Sequence, residues 1–142
     1  LAKKGFKFIV ITNQAGIARN IIDYNDLYKI HRHLIDEFQK SGIEILKIYV
    51  CPHHWDENCE CRKPKPGMFY EASKEFQIRL DKTLFIGDDI RDCEAAYSAG
   101  LKSLFIGDTS ELLSLSDKQQ PIFSSRNLAD CLPNILEYFS LK

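Results

Sequence analysis

Between Cys51 and Cys61, eleven residues hold three of the chain's five cysteines and two of its four histidines, and the next two residues, Arg62 and Lys63, are basic. Cys51, His53, Cys59 and Cys61 supply three thiolates and one imidazole, a ligand set that tetrahedral Zn²⁺ prefers, and four protein ligands leave no open position for catalysis. The spacing predicts a structural zinc loop over residues 51–61. A metal clamped there also fixes the adjoining backbone, so Arg62 and Lys63 are expected to be held where a phosphate can meet them. Alternate residues form each ligand pair, and the polar stretch between the pairs is unsuited to burying thiols, so a disulfide or a set of small core residues fits the pattern less well. His54 is an alternative to His53 as the imidazole ligand.

With 142 residues, 44% of them hydrophobic and 27% charged, the chain suits one globular domain over residues 1–142. A formal charge of -1 gives no footprint for nucleic acid or an anionic membrane surface. Cysteines clustered at metal spacing, with no signal-like segment and no apolar run of spanning length, predict a reducing compartment, the cytoplasm. A monomer is expected. Cys93 and Cys131 stand alone in helical patterns and read as core residues.

Along the chain, Phe6 to Thr12 is a short apolar run that reads as a buried strand ending in the polar turn Asn13-Gln14-Ala15-Gly16. From Asp23, an N-cap candidate, Leu27, Ile30, Leu34 and Phe38 recur at helical spacing until Gly42. Ile45 to Val50 is a second strand that runs into the zinc loop. Met68 to Phe76 reads as a helix, Thr83 to Ile86 as a strand, Arg91 to Ala99 as a helix closed by Gly100, and Ser103 to Ile106 as a fourth strand. Asn127 to Phe139 carries an amphipathic pattern interrupted by Pro133. Strands alternating with helices predict an α/β fold, a parallel sheet with helices on both faces.

In such a fold ligands bind at the carboxyl ends of the strands. The first strand ends in Thr12-Asn13, the second leads through the zinc loop to Arg62-Lys63, and the third ends in Asp88-Asp89. A hydroxyl and cations to grip a phosphoryl group, with a carboxylate to hold a hard cation such as Mg²⁺, are the parts that phosphoryl transfer requires. Each pair also has a plainer reading: an ordinary turn, a solvated basic loop, and an N-cap for the following helix. Their recurrence at successive strand ends favours the phosphate reading.

The order Ile11-Thr-Asn-Gln-Ala-Gly-Ile-Ala-Arg19, Cys51-Pro-His-His54, Cys59-Glu-Cys-Arg-Lys-Pro-Lys-Pro-Gly-Met68 and Ile86-Gly-Asp-Asp-Ile-Arg-Asp92 resembles the D-glycero-D-manno-heptose 1,7-bisphosphate phosphatases. These belong to the haloacid dehalogenase-like (HAD-like) phosphatases, with a Rossmann-like sheet, close to the histidinol-phosphate phosphatases. The resemblance implies a cytoplasmic Mg²⁺-dependent hydrolase of carbohydrate metabolism, supplying lipopolysaccharide precursors, that works through an aspartyl-phosphate and acts on a small phosphorylated sugar. It implies that Thr12 and Asn13 contact the transferring phosphoryl group, that Gln14 and Ala15 line the substrate site, that Arg62 and Lys63 grip substrate and phosphoryl oxygens, and that Asp88 ligates Mg²⁺. On this likeness the catalytic residues are Thr12, Lys63 and Asp88. Asp89 falls where the family often carries a lysine, which weakens any role for it in the reaction.

The family's nucleophile lies on an Asp-x-Asp-Gly motif, and this chain contains no Asp-x-Asp. By resemblance Leu1 to Gly5 matches the end of the helix that follows that motif, so the expectation is a chain lacking the central first strand, inactive alone and active in an intact parent. Two alternatives stand beside the heptose bisphosphate reading. The short gap between the ligand pairs is like that of histidinol-phosphate phosphatases, and a catalytically inactive, zinc-stabilised phosphate-binding module would keep the cradle without the chemistry.

Overall fold

Apolar runs too short for helices, each followed by a capped amphipathic segment, become in the computed structural model a succession of parallel strands and helices; the structure describes residues 1–140. The chain divides into two compact units, Leu1–Arg62 and Lys63–Lys142.

In the first unit, strand β1 (Phe8–Asn13) leads to helix α1 (Tyr24–Lys40), which returns to strand β2 (Ile45–Cys51). Asp23 caps α1 as its sequence position suggests, its carboxylate accepting the Asp26 N–H at 2.8 Å. The two strands pair in parallel, with Thr12 opposite Val50 and Asn13 opposite Cys51. That register brings the polar end of β1 alongside the residue that opens the zinc loop.

In the second unit, helix α2 (Gly67–Phe76) precedes strand β3 (Leu84–Gly87), helix α3 (Ile90–Ala99) and strand β4 (Lys102–Ile106). A third parallel strand, β5 (Phe123–Ser125), pairs with β4, giving the order β3-β4-β5. It escapes the sequence reading because three residues, two of them serine, carry no period. Helix α4 (Leu132–Ser140) starts at the point where Pro133 is read as an interruption. Proline in the first turn costs no hydrogen bond, because the N–H it lacks would have no partner there. Cys93, Phe105, Leu112 and Leu115 form a buried cluster with Ile90 packed on it, so Cys93 is a core residue as read. Gly100 closes α3 at φ 80°, a left-handed position that favours glycine.

Among the described residues no helix is long and apolar enough to cross a membrane.

Candidate active site and metal centre

The side chain of Cys51, the last residue of β2, is fully buried, and the chain then turns back on it. Its Sγ lies 3.6 Å from His53 Nδ1 and 3.6 Å from Cys59 Sγ, while Cys61 Sγ lies 3.5 Å from Cys59 and 3.2 Å from His53 Nδ1. All four ligand atoms fall within 4.8 Å of one another. A zinc ion with metal–sulfur bonds of about 2.3 Å sets its sulfurs about 3.8 Å apart. The donor set and its spacing therefore fit one Zn²⁺. His54 is turned elsewhere: its Nδ1 pairs with Asp56 at 2.6 Å and its ring stacks on Trp55, with centroids 3.7 Å apart. Of the two candidates His53 is the one at the cluster.

Burial pushes the Cys61 thiol up to about 12, with Cys51 and Cys59 adding to the shift. Burial acts the same way on Cys59, yet hydrogen bonds from Cys61, the Arg62 amide and Cys51 bring it down to about 7. Three thiols so close cannot all lose their protons without a compensating cation, and a zinc ion held there would supply that charge. The loop also carries its basic neighbour, since Arg62 Nη1 donates to the carbonyl of the ligand His53 at 3.4 Å.

At the carboxyl end of β1, the Gln14 N–H donates to the Cys51 carbonyl at 2.8 Å and Gln14 Nε2 donates to Thr12 Oγ1 at 3.1 Å. The Thr12 hydroxyl, thus engaged as an acceptor, still has its own proton to donate. Thr12, Asn13, Gln14 and Ala15 are all half-buried. The first unit therefore gathers these four residues against the zinc loop.

In the second unit, Lys63 Nζ meets Asp92 Oδ1 at 2.6 Å, with the side chains only 11% and 6% exposed. The other oxygen, Asp92 Oδ2, accepts the N–H groups of Asp88 and Asp89 at 3.1 and 3.2 Å. A Cβ at residue 87 would stand 2.2 Å from that oxygen, which accounts for Gly87. One buried carboxylate thus fixes both the ammonium of Lys63 and the backbone that presents Asp88. Sequence reasoning assigns Asp92 no task, although it closes the Ile86–Asp92 motif. The spacing Gly-Asp-x-x-x-Asp, which puts it on the first turn of a helix, is the signal that could have found it.

Asp88 is exposed, and its carboxylate takes no hydrogen bond or ion pair among the described residues. Hard and anionic, it fits a Mg²⁺ ligand. Asp89 has a different job. It caps α3 by accepting the Arg91 N–H at 2.9 Å, and the Arg91 guanidinium clasps the same carboxylate. That side-chain hydrogen bond from Arg91 overcomes burial and holds Asp89 down at about 2. The plainer reading of the Asp88-Asp89 pair is right for Asp89 and leaves Asp88 free.

A family profile described as HAD-hydrolase-like matches residues 60–131. The D-glycero-alpha-D-manno-heptose-1,7-bisphosphate 7-phosphatase of Campylobacter jejuni is 40% identical over 103 residues, covering 72% of this chain and 59% of that protein. The D-glycero-beta-D-manno-heptose-1,7-bisphosphate 7-phosphatase of Photorhabdus laumondii is 31% identical over 144 residues, covering 96% of this chain and 76% of that one. Among solved structures, the D,D-heptose 1,7-bisphosphate phosphatase of B. bronchiseptica, complexed with magnesium and phosphate, superposes with a TM-score of 0.86 at 28% identity, over 96% of this chain and 78% of that one. The chain spans about three fifths of the Campylobacter protein's length and about three quarters of the other two.

Proposed function

Because the chain belongs to the HAD-like hydrolase family, among the heptose-1,7-bisphosphate phosphatases, we propose that its protein is a Mg²⁺-dependent phosphatase that removes one phosphate from a sugar bisphosphate, D-glycero-D-manno-heptose 1,7-bisphosphate. The observation that carries the reading is the β3–α3 turn, where a buried Lys63–Asp92 pair sits beside an unpaired Asp88 carboxylate. Structural ion pairs elsewhere in the chain, such as Lys29–Asp26 and Arg79–Asp81, are exposed and local. A desolvated ammonium next to a free carboxylate is instead the pairing that anion binding and cation binding demand together.

The work is divided among residues at the strand ends. Thr12 donates its hydroxyl proton to a phosphoryl oxygen, and Asn13 adds an amide donor. Lys63 neutralises charge on the transferring group, and Asp92 holds the ammonium in place. Gln14 and Ala15 line the substrate side of the β1 loop, and Arg62 grips the substrate from the zinc loop. Asp88 would hold Mg²⁺, which when bound supplies charge stabilisation to the phosphoryl oxygens. Zn²⁺ at Cys51, His53, Cys59 and Cys61 is structural, since no ligand position is left for substrate. The proposed reaction runs through an aspartyl-phosphate: an aspartate oxygen bonds to phosphorus as the sugar oxygen leaves and takes up a proton, and water then cleaves the acyl phosphate to inorganic phosphate and the free carboxylate. With no Asp-x-Asp in the chain, none of its residues is assigned as that nucleophile.

The test is phosphate release by the full-length protein with and without Mg²⁺, from heptose 1,7-bisphosphate and from histidinol phosphate. Release from the bisphosphate that needs Mg²⁺ and falls by about 10²–10³-fold in Asp88→Asn is expected, from the several kcal/mol that metal-assisted charge stabilisation contributes. Faster release from histidinol phosphate would move the substrate to the reading that the short gap between His53 and Cys59 favours. Phosphate binding with no release from either would leave the binding module.

A further inference from the structure

Five residues past the Gln14 turn, on the loop that leaves β1, Arg19 lays its guanidinium over the ring of Trp55, 5.5 Å from the centroid. Both partners are exposed, yet neither is loosely held. The Ala18 N–H donates to the Pro52 carbonyl at 3.3 Å, and the Arg19 N–H donates to the Ala15 carbonyl at 3.1 Å. Trp55 follows the zinc ligand His53 by two residues, stacks on His54, and opens a turn closed when the His54 N–H donates to Glu57 Oε1 at 2.6 Å. The metal loop and the substrate loop thus meet at a cation on an aromatic face.

What that contact leaves unspent is the informative part. Arg79 and Arg91 commit their forks to Asp81 and Asp89, and Lys29 and Lys40 commit their ammoniums to Asp26 and Glu37. Among the described residues Arg19 has the ring and no carboxylate. Stacking engages the face of a guanidinium while its N–H donors point outward in plane, still charged and in the geometry that matches a phosphate's oxygens. A ring that restricts the side chain beforehand also lowers the ordering cost of binding.

We infer that Arg19, held by Trp55, is a specificity-determining residue that binds the second phosphate of the bisphosphate, the one not transferred. This rests on the bisphosphate reading of the site. The Thr12 hydroxyl belongs to the strand end and is half-buried, whereas Arg19 is exposed seven residues later and is held at Trp55, so the loop offers a second cationic position besides the Thr12 hydroxyl. The same free cation disfavours a substrate that carries an amine in place of the second phosphate.

The experiment compares full-length wild type, Arg19→Ala, Arg19→Lys and Trp55→Ala on heptose 1,7-bisphosphate and on p-nitrophenyl phosphate, with bound zinc measured in each. Arg19→Ala should lower the ratio of the two kcat/KM values by roughly tenfold to a hundredfold, the range for a lost hydrogen-bonded ion pair, chiefly through KM for the bisphosphate. Arg19→Lys should recover part of it, and Trp55→Ala should fall between. Equal losses on both substrates, or an unchanged ratio, would overturn the inference. Trp55 is the one tryptophan of residues 1–142, and the part of the full-length protein's fluorescence that Trp55→Ala removes reports the stack. Should neither compound be turned over, the phosphatase reading fails while fluorescence still decides this one. Heptose 1,7-bisphosphate should then shift the wild-type signal far more strongly than a monophosphate does, with the difference lost in Arg19→Ala; equal responses to the two ligands refute it.

Discussion

Asp92 carries more of the proposed site than its place behind two better-placed carboxylates suggests. Its two oxygens are both committed, one to Lys63 at 2.6 Å and one to the amides of Asp88 and Asp89, at 6% side-chain exposure. Replacing it by asparagine removes the carboxylate that the buried Lys63 ammonium meets at 2.6 Å, and breaking such a pair from one side costs about 3–5 kcal/mol. Urea unfolding of Asp92→Asn should show that loss, while Asp88→Asn, whose side chain is exposed and unpaired, should stay within about 0.5 kcal/mol of wild type. If the two variants unfold alike, Asp92 is not the anchor of this turn. Gly87→Ala tests the same contact from the other side, since its Cβ would lie 2.2 Å from Asp92 Oδ2 and something must move. Residue types at and after strand ends singled out Thr12, Lys63 and Asp88 as candidates, because a hydroxyl, a cation and a carboxylate recur there together. Asp92 was not legible in the same way, because its partner lies 29 residues earlier in the chain and burial of a carboxylate leaves no mark in composition.

At the scale of the element, the zinc loop and the α3 turn show why boundaries and roles diverge in what a sequence discloses. Cap residues reveal themselves locally. Asp23 for α1 and Gly100 for α3 need only their own backbone geometry to be recognised. Strand β5 needs β4 beside it before three residues become a strand, so no local pattern predicts it. Asp89 combines both kinds of information, a cap read from position and an ion pair with Arg91 that is not. The sign of its pH effect follows from the lowered carboxyl. A group at about 2 in the fold adds stability above the ordinary carboxylate range, near 3.8, and that stability is lost as pH falls through 2. With side-chain exposures of 37% and 48% the pair is partly screened, so Asp89→Asn, which keeps a capping oxygen, should cost no more than about 1 kcal/mol at neutral pH. Stability measured against pH would show the two proteins converging between pH 4 and 2; a constant gap across that window would mean the ion pair contributes nothing.

On the scale of the whole chain, the two compact units differ in what holds each together. Among the described residues, the buried apolar side chains of the first unit are Leu27, Ile45, Tyr49 and Cys51, and the last of these is itself a metal ligand. The second unit has its own cluster around Phe105, with Met68, Phe69 and Leu104 also buried, and Phe69 packs edge-on to Phe85 at 4.8 Å. A unit with so few buried side chains and a four-ligand loop would draw stability from a bound metal, because zinc bound only in the folded state contributes its binding free energy to folding. Chelation should therefore act unevenly. Hydrogen exchange followed by mass spectrometry, before and after zinc is stripped, should show β1, β2 and the loop over residues 51–61 losing protection first, with β3, β4 and α3 protected longer. Purified protein should contain one zinc per chain, and Cys59→Ser should reproduce the chelated pattern without a chelator. Uniform loss of protection across both units would mean that the metal supports a single cooperative structure, and no loss anywhere would mean that Cys51, His53, Cys59 and Cys61 do not hold zinc.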